Sequence, residues 1–340
     1  MDLLLSLPLA SYLLAPSLTS WSTSLNLLFF YMTWTTLVLT HPPLRVHLTG
    51  ILAIRVAFCL LPSLLSLLFD VALPSVAESI KYGGRSALPP RNPRFLARML
   101  GLALLNLVIL TAAEGACSAA FMYLAREPEF RTSTALPMPW GILRHGLIIL
   151  AAREVLHYYI NRFVLHNNGS LAGVHARYAH SRSGAPFSLQ LLTDHPLSLL
   201  LHRFVPLYLP CLVLRPHLLT YFLVVAVCTV EETLCMSGYS IVPGIIMGGM
   251  VQRAAVHYAD RGTSNYGAWG ILDWWHGTGR GRDVLEDMRR EADKHRVKER
   301  SAVKAEQGAG LLQNGVEALT NRSGTTPRRS GRKRTARKVD

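Results

Sequence analysis

GILAIRVAFCLLPSLLSLLFDVAL, at Gly50–Leu73, is the stretch that decides the fold class of this chain. Its only charged residues are Arg55 and Asp70. A helix needs about 20 mostly apolar residues to cross the hydrocarbon core of a bilayer. The crossing must be helical because backbone polar groups in lipid have no water to bond. The stretch therefore predicts a transmembrane helix.

Further apolar runs lie on both sides of this stretch. Met99–Leu124 predicts a second transmembrane helix, and Leu197–Val230 is long enough for two passes or a re-entrant hairpin, broken by its prolines. The remaining runs are Leu3–Leu18, which favours a first membrane segment over a cleaved signal peptide, Leu25–Leu39 and Gly141–Leu165. Together they predict an all-α, polytopic integral membrane bundle of about four to six spans.

The composition excludes the two soluble domains that the length alone would allow. Half of the residues are hydrophobic and only 16% are charged, against roughly a quarter in soluble domains. The mean hydropathy is +0.25. The five cysteines form no CxxC pair and lie in apolar sequence, so they are interpreted as small buried apolar residues.

The net charge of +14 is concentrated at the C-terminus. The last 64 residues carry 17 Lys or Arg and 9 Asp or Glu, and basic segments of membrane proteins stay on the cytoplasmic side. We therefore interpret the charge as topological rather than as a nucleic-acid site. The predicted organisation is N-terminal membrane segments at 1–135, a core at 136–280, a charged cytosolic helix at 281–307 and a disordered basic tail at 308–340.

Histidine is concentrated in the core. Ten of the thirteen histidines fall between residues 145 and 276: His145, His157, His166, His175, His180, His195, His202, His217, His257 and His276. Ionisable residues near a bilayer are costly and therefore functional candidates, and histidine is the commonest transition-metal ligand. Several inward imidazoles in an apolar helical bundle suit a non-haem di-iron centre that activates O₂ beside a hydrophobic substrate.

Spacing separates the histidines further. His202 and His217 lie in apolar sequence without a partner histidine at ligand spacing, so they are interpreted as packing residues. His157 and Asn161 share one helical face. His175 and His180 are five residues apart, roughly 140° around a helix, and would converge only in an irregular segment.

Five blocks of the core resemble the fatty acid hydroxylase superfamily, in particular its sterol desaturase and C-4 methyl oxidase group. In chain order they are EVLHYYINRFVLH (Glu154–His166), HSRSGAPFSL (His180–Leu189), DHPL (Asp194–Leu197), EETLCMSGY (Glu231–Tyr239) and NYGAWGILDWWHGT (Asn265–Thr278). The resemblance implies an all-helical endoplasmic reticulum membrane protein whose histidine core faces the cytosol, with two irons, O₂, and electrons from cytochrome b5 or a reductase.

The chain departs from this pattern at several positions where the resemblance implies a ligand. His166, His180 and His257 are retained, and His175 is shifted. Other residues stand at the remaining positions: Asn161, Ser181, Met236, Ala254 and Tyr258. The departures leave two irons, a single iron and no iron as open alternatives.

Two hypotheses follow. The first is a membrane-bound, iron- and O₂-dependent hydroxylase or desaturase acting on a lipid, sterol or hydrophobic secondary metabolite, with no catalytic side chain assigned. Its candidate metal ligands are His157, His166, His175, His180, His195, His257 and His276. The second is a non-catalytic descendant that serves as a lipid-binding or scaffold subunit. A transporter or channel is disfavoured because no matching pair of interrupted helices occurs.

Overall fold

A computed structural model describes residues 21–182, 184–242 and 244–281. The first apolar run lies outside these residues, as do the helix and the basic tail predicted beyond residue 281. The helices of the described part, in chain order, are α1 (Trp21–Thr40), α2 (Pro43–Arg55), α3 (Leu61–Ala72), α4 (Pro74–Ile80), α5 (Pro93–Ala125), α6 (Pro139–Ile160), α7 (Ser170–Tyr178), α8 (Pro196–Leu199), α9 (Val205–Leu214), α10 (Leu218–Cys235), α11 (Ile245–Ala259) and α12 (Ile271–Trp275). The described residues contain no strand, so the predicted all-α class is confirmed.

Four helical segments are long and apolar enough to cross a membrane: Pro43–Ala72, Pro93–Ala125, Pro196–Leu214 and Leu218–Cys235. They expose large apolar side chains, among them Leu65, Val108 and Val213, and this many exposed apolar residues on such helices favours lipid over water as their surroundings. The protein is therefore a multi-pass membrane protein with four candidate spans in its described part.

The run Leu197–Val230 contains two helices that are each long and apolar enough to cross a membrane, which favours two passes over a re-entrant hairpin. The chain turns at Arg215, which adopts a left-handed conformation with φ 46°, and Pro216 follows. Pro206 lies in the first turn of α9 and Pro210 lies inside it. The prediction that these two prolines break the apolar run is therefore wrong.

Wide π-helical turns let two spans continue through proline. One occupies Val56–Leu60 and ends two residues before Pro62, and another occupies Leu200–Phe204 and ends two residues before Pro206. Proline lacks the N–H that a regular helix needs, and a π turn absorbs the mismatch with one extra residue per turn. A third π turn, Asn161–Leu165, follows α6. Each turn changes the face on which the following side chains lie.

Contacts between connectors define two ends of the bundle. At one end Lys81 pairs with Tyr239 through an isolated bridge, and Arg182 donates to the carbonyl oxygen of Leu88 at 2.7 Å. At the other end Arg131 forms an isolated parallel β-bridge with His217. Between them α2 packs against α5 and α10, and α6 packs against α9 and α10. We call the end that contains Lys81 and Arg182 the histidine end, because the site described next adjoins it.

Candidate metal centre

Four imidazole rings converge near the histidine end. Donor atoms of His166, His175 and His180 all lie within 4.8 Å of one another. The His257 ring centroid lies 4.9 Å from that of His166 and 5.0 Å from that of His180. This histidine cluster is a set of imidazole nitrogen donors of the kind that iron and other first-row metals accept.

Irregular backbone brings the four rings together. His166 directly follows the π turn Asn161–Leu165, and His257 lies near the end of α11. The helix that carries His175 ends at Tyr178, so His180 lies in the turn beyond it. His175 and His180 can therefore converge despite being five residues apart, because the helix ends between them.

Acceptor groups fix the orientation of three of the four rings. The Nδ1 atom of His166 lies 2.9 Å from the carbonyl oxygen of Asn161, and that of His257 lies 2.6 Å from the carbonyl oxygen of Ser264. The Nδ1 atom of His175 lies 2.7 Å from the Asp194 carboxylate.

These oxygens accept, so each Nδ1 donates and each Nε2 keeps a free lone pair. Hydrogen bonds of this kind orient and strengthen metal-binding histidines.

Burial favours the neutral form of three rings in the cluster, those of His166, His180 and His257. It lowers the pKa of His166 to about 3 and that of His257 to about 4, with neighbouring imidazoles adding to the shift of His166. Burial lowers the pKa of His180 as well. The Nε2 atoms of His166 and His180 are 3.0 Å apart. The rings are thus held in the protonation state that binds metal.

Gly262 makes the closest backbone approach to the cluster. Its φ is +78°, and a Cβ atom there would lie 2.1 Å from the Nε2 atom of His166 and 3.2 Å from that of His180. Any side chain would occupy the space into which these nitrogens converge. Sequence reasoning missed this residue because its role depends on a contact across 96 positions of the chain.

A second pair of imidazoles lies beside the cluster. The Nε2 atoms of His157 and His202 are 2.6 Å apart, and the His202 ring lies 6.1 Å from that of His175. His202 therefore belongs to the candidate site, which differs from its interpretation as a packing residue. It lies in the π turn Leu200–Phe204, whose effect on side-chain direction the sequence pattern does not reveal.

A cavity of about 580 Å³ adjoins both histidine groups. We call it the histidine cavity, since His157, His175, His202 and His257 line it. Four of the five residues at missing ligand positions line it as well: Asn161, Met236, Ala254 and Tyr258. The exception, Ser181, is exposed. The substitutions therefore fall on the wall of one cavity.

The substituted side chains offer little to a metal. Burial raises the pKa of Tyr258 to about 12, so its hydroxyl stays protonated. The amide of Asn161 donates to the carbonyl oxygen of Tyr266 at 2.8 Å, which ties the π turn to the loop before α12. Met236 and Ala254 supply no ligand for ferrous iron.

A buried ionic network closes the cavity on the side of α10. Arg153 donates to Glu231 and Glu232, at 2.7 Å in each case, and Arg203 contacts Glu232 at 3.2 Å. Two positive and two negative charges thus balance, which lowers the cost of burying them. The network holds α6 and the start of the third span to α10.

Two of the candidate ligands lie away from the histidine cluster. The Nδ1 atom of His195 accepts from the backbone N–H of Leu197 and caps α8. His276 is exposed, stacks on Tyr158 and bonds the Tyr159 hydroxyl at 3.2 Å. Among the seven predicted ligands the structure brings together His166, His175, His180 and His257, with His157 beside them.

Residues 146–278 match the family model described as fatty acid hydroxylase. This part of the chain is therefore similar to the fatty acid hydroxylase family, as the five sequence blocks predicted. No solved structure shows a significant match to the chain. The family suggests hydroxylase or desaturase activity on a membrane lipid.

Within the matched residues, the carboxylates of Glu154 and Asp273 hold the loop Asn265–Gly270 in place. Glu154 accepts from the backbone N–H of Trp269 at 2.9 Å. Asp273 accepts from the N–H groups of Tyr266 and Gly267 at 2.8 and 2.7 Å. The NYGAWG loop is thereby fixed against α6, and its first residues line the histidine cavity.

Proposed function

We propose that this chain is a membrane-bound, non-haem iron- and O₂-dependent oxygenase that hydroxylates or desaturates a lipid or another hydrophobic molecule. The observation that carries the proposal is the orientation of the cluster, in which His166, His175 and His257 each direct Nδ1 to an acceptor, which leaves Nε2 unprotonated. The family match and the adjoining cavity support it.

The residues fit one iron better than two. His166, His175, His180 and His257 would hold the ion, and three or four protein ligands leave coordination positions open. When bound, iron supplies the activation of O₂ that oxidation of a C–H bond requires. A second ion would depend on His157 and His202, since their neighbours Asn161, Met236 and Tyr258 are poor donors.

The chain's own residues supply the remaining parts. Burial lowers the pKa of His166, His180 and His257, so a cation that binds these three rings competes with few protons at neutral pH. The apolar side chains Met236, Met250 and Ala254 leave room in the histidine cavity for a hydrophobic substrate. The Arg153 network keeps the charges on α10 paired beside that substrate.

Location and electron supply complete the proposal. We infer an endoplasmic reticulum membrane protein whose histidine end and C-terminal tail face the cytosol, where cytochrome b5 or a reductase would deliver electrons. The net positive charge of the last 64 residues supports this orientation.

Metal stoichiometry tests the proposal most directly. Protein purified in detergent and reconstituted anaerobically with ferrous iron should bind one iron per chain, quantified together with a Mössbauer spectrum. The variants His166→Ala and His257→Ala should lose the bound iron, whereas the control variants His195→Ala and His276→Ala should retain it. Protein that binds no iron, or variants that lose it indiscriminately, would overturn the proposal.

The second candidate function is a non-catalytic, lipid-binding or scaffold subunit. The clustering of Asn161, Met236, Ala254 and Tyr258 on one cavity wall favours it. Turnover of a lipid by purified, iron-loaded protein with O₂ and a reductant would exclude it. If the wild type is inactive, Asn161→His, Ala254→His and Tyr258→His in combination would ask whether restored donors recover iron binding and activity.

A further inference from the structure

A second cavity lies next to the histidine cavity, and Arg203 and Glu232 line both. It contains about 510 Å³ of space, within the range of small-molecule sites. Most of the residues in its wall are apolar, and the aliphatic ones include Leu110, Leu199, Leu207 and Val225. We call it the aliphatic cavity. Its lining suits a hydrocarbon body.

One side chain in this wall has an unused donor. Arg55 is only 9% exposed, and its Nη2 donates to the Glu114 carboxylate. Its Nη1 is buried and has no hydrogen-bond partner among the residues that the structure describes. An unsatisfied buried donor is costly, and the surrounding Leu and Val side chains cannot accept. An oxygen atom on a molecule within the cavity would satisfy it.

The charged side chains around the aliphatic cavity determine whether a bound molecule can carry a charged or only a neutral oxygen. Glu114 balances the charge of Arg55, and Glu231 and Glu232 together balance those of Arg153 and Arg203. A carboxylate or phosphate would add an unbalanced negative charge in a medium of low dielectric constant. A hydroxyl or carbonyl oxygen would accept the hydrogen bond without that cost.

We propose that the aliphatic cavity binds the apolar body of a neutral, oxygen-bearing lipid, and that Arg55 Nη1 donates a hydrogen bond to its hydroxyl or carbonyl oxygen. The inference deepens the proposed function, since the same lipid would be the substrate of the adjoining site. Binding itself requires no iron and can be measured on the metal-free protein.

Photoaffinity labelling with matched probes tests the hydrogen bond. The probes are diazirine-bearing hexadecanol, hexadecane and palmitic acid, applied to metal-free full-length protein in detergent. Arg55→Lys keeps the charge opposite Glu114 but removes the second arm of the guanidinium fork. The Arg55→Lys variant should show about tenfold weaker labelling by the hexadecanol probe and unchanged labelling by the hexadecane probe. The control Arg215→Lys alters an exposed ion pair with Glu127 and should change neither.

A cavity-filling pair tests the location. Leu207→Trp should reduce labelling by both hexadecanol and hexadecane. The control Val213→Trp lies on the same helix, at a position 75% exposed, and should not. Unchanged labelling in Leu207→Trp, or equal effects of Arg55→Lys on both probes, would overturn the inference. Tighter binding of palmitic acid than of hexadecanol would overturn the assignment to a neutral oxygen.

Iron content separates this inference from the proposed function. Arg55 does not line the histidine cavity, so Arg55→Lys should bind iron as the wild type does. Normal iron content without probe selectivity would refute the lipid site alone. Selective lipid labelling in a protein that never binds iron would refute the oxygenase alone.

Discussion

At the scale of single residues, Gly262 controls access to the histidine cluster. We predict that Gly262→Ala abolishes iron binding, because the added methyl group would lie 2.1 Å from the Nε2 atom of His166. Gly277→Ala is the matched control, since its φ of +65° imposes similar backbone strain and nothing lies within 4 Å of the added atom. Iron titration of both variants checks the prediction, and equal losses would contradict it.

Protonation of the cluster gives a second prediction. The ordinary histidine pKa of 6.5 applies to the unfolded chain, whereas burial lowers those of His166 and His257 to about 3 and 4. Below pH 6.5 the unfolded state therefore binds more protons than the folded state. The unfolding free energy of the metal-free protein should fall between pH 6.5 and pH 4, by up to about 1.4 kcal/mol per pH unit for each histidine.

Thermal unfolding in detergent at pH 7 and pH 5 checks this pH dependence. His257→Gln should weaken it, while His276→Ala should leave it unchanged because that ring is exposed. A protein that gains stability on acidification would show that these imidazoles are not buried as neutral groups.

At the scale of elements, the ionic network determines how α6 is held. We predict that Arg153→Met lowers the unfolding free energy by about 3–5 kcal/mol, because it leaves two buried carboxylates without their shared partner. The control Arg144→Met changes an exposed arginine on the same helix. Thermal unfolding of both variants distinguishes them, and equal midpoints would contradict a structural role for the network.

The sequence predicted some secondary-structure elements correctly but not the direction of every side chain on them. Spans such as Gly50–Leu73 were predictable because hydropathy is a local property that lipid enforces. The place of His202 was not predictable, since a π turn shifts its direction away from regular helical spacing. The roles of His195 and His276 as ligands stay predictions, and neither ring lies in the cluster.

At the scale of the whole molecule, the two ends of the bundle differ in charge. Connectors at the histidine end carry Lys81, Arg85 and Arg91, with Glu78 as the only acidic residue at 74–92, whereas the connector at 126–138 contains two basic and two acidic residues. Because positive loops stay in the cytoplasm, we predict that the histidine end faces the cytosol.

Accessibility labelling of single cysteines in sealed microsomes checks this orientation. A cysteine introduced at Arg91, in a background without the five native cysteines, should react from the cytosolic side. One introduced at Glu127, at the opposite end, should react only after the membrane is permeabilised. The reverse pattern would place the candidate metal centre on the lumenal side, away from cytosolic electron donors.

Assembly of this protein in the membrane depends on the order in which its helices are made. Arg153 on α6 emerges from the ribosome 78 residues before its partner Glu231 on α10. An arginine at the centre of a helix costs about 2.5–3.5 kcal/mol during insertion by the translocon. We therefore expect α6, which packs against α10 but is not one of the four candidate spans, to take its place in the bundle only once α10 supplies the counter-charges.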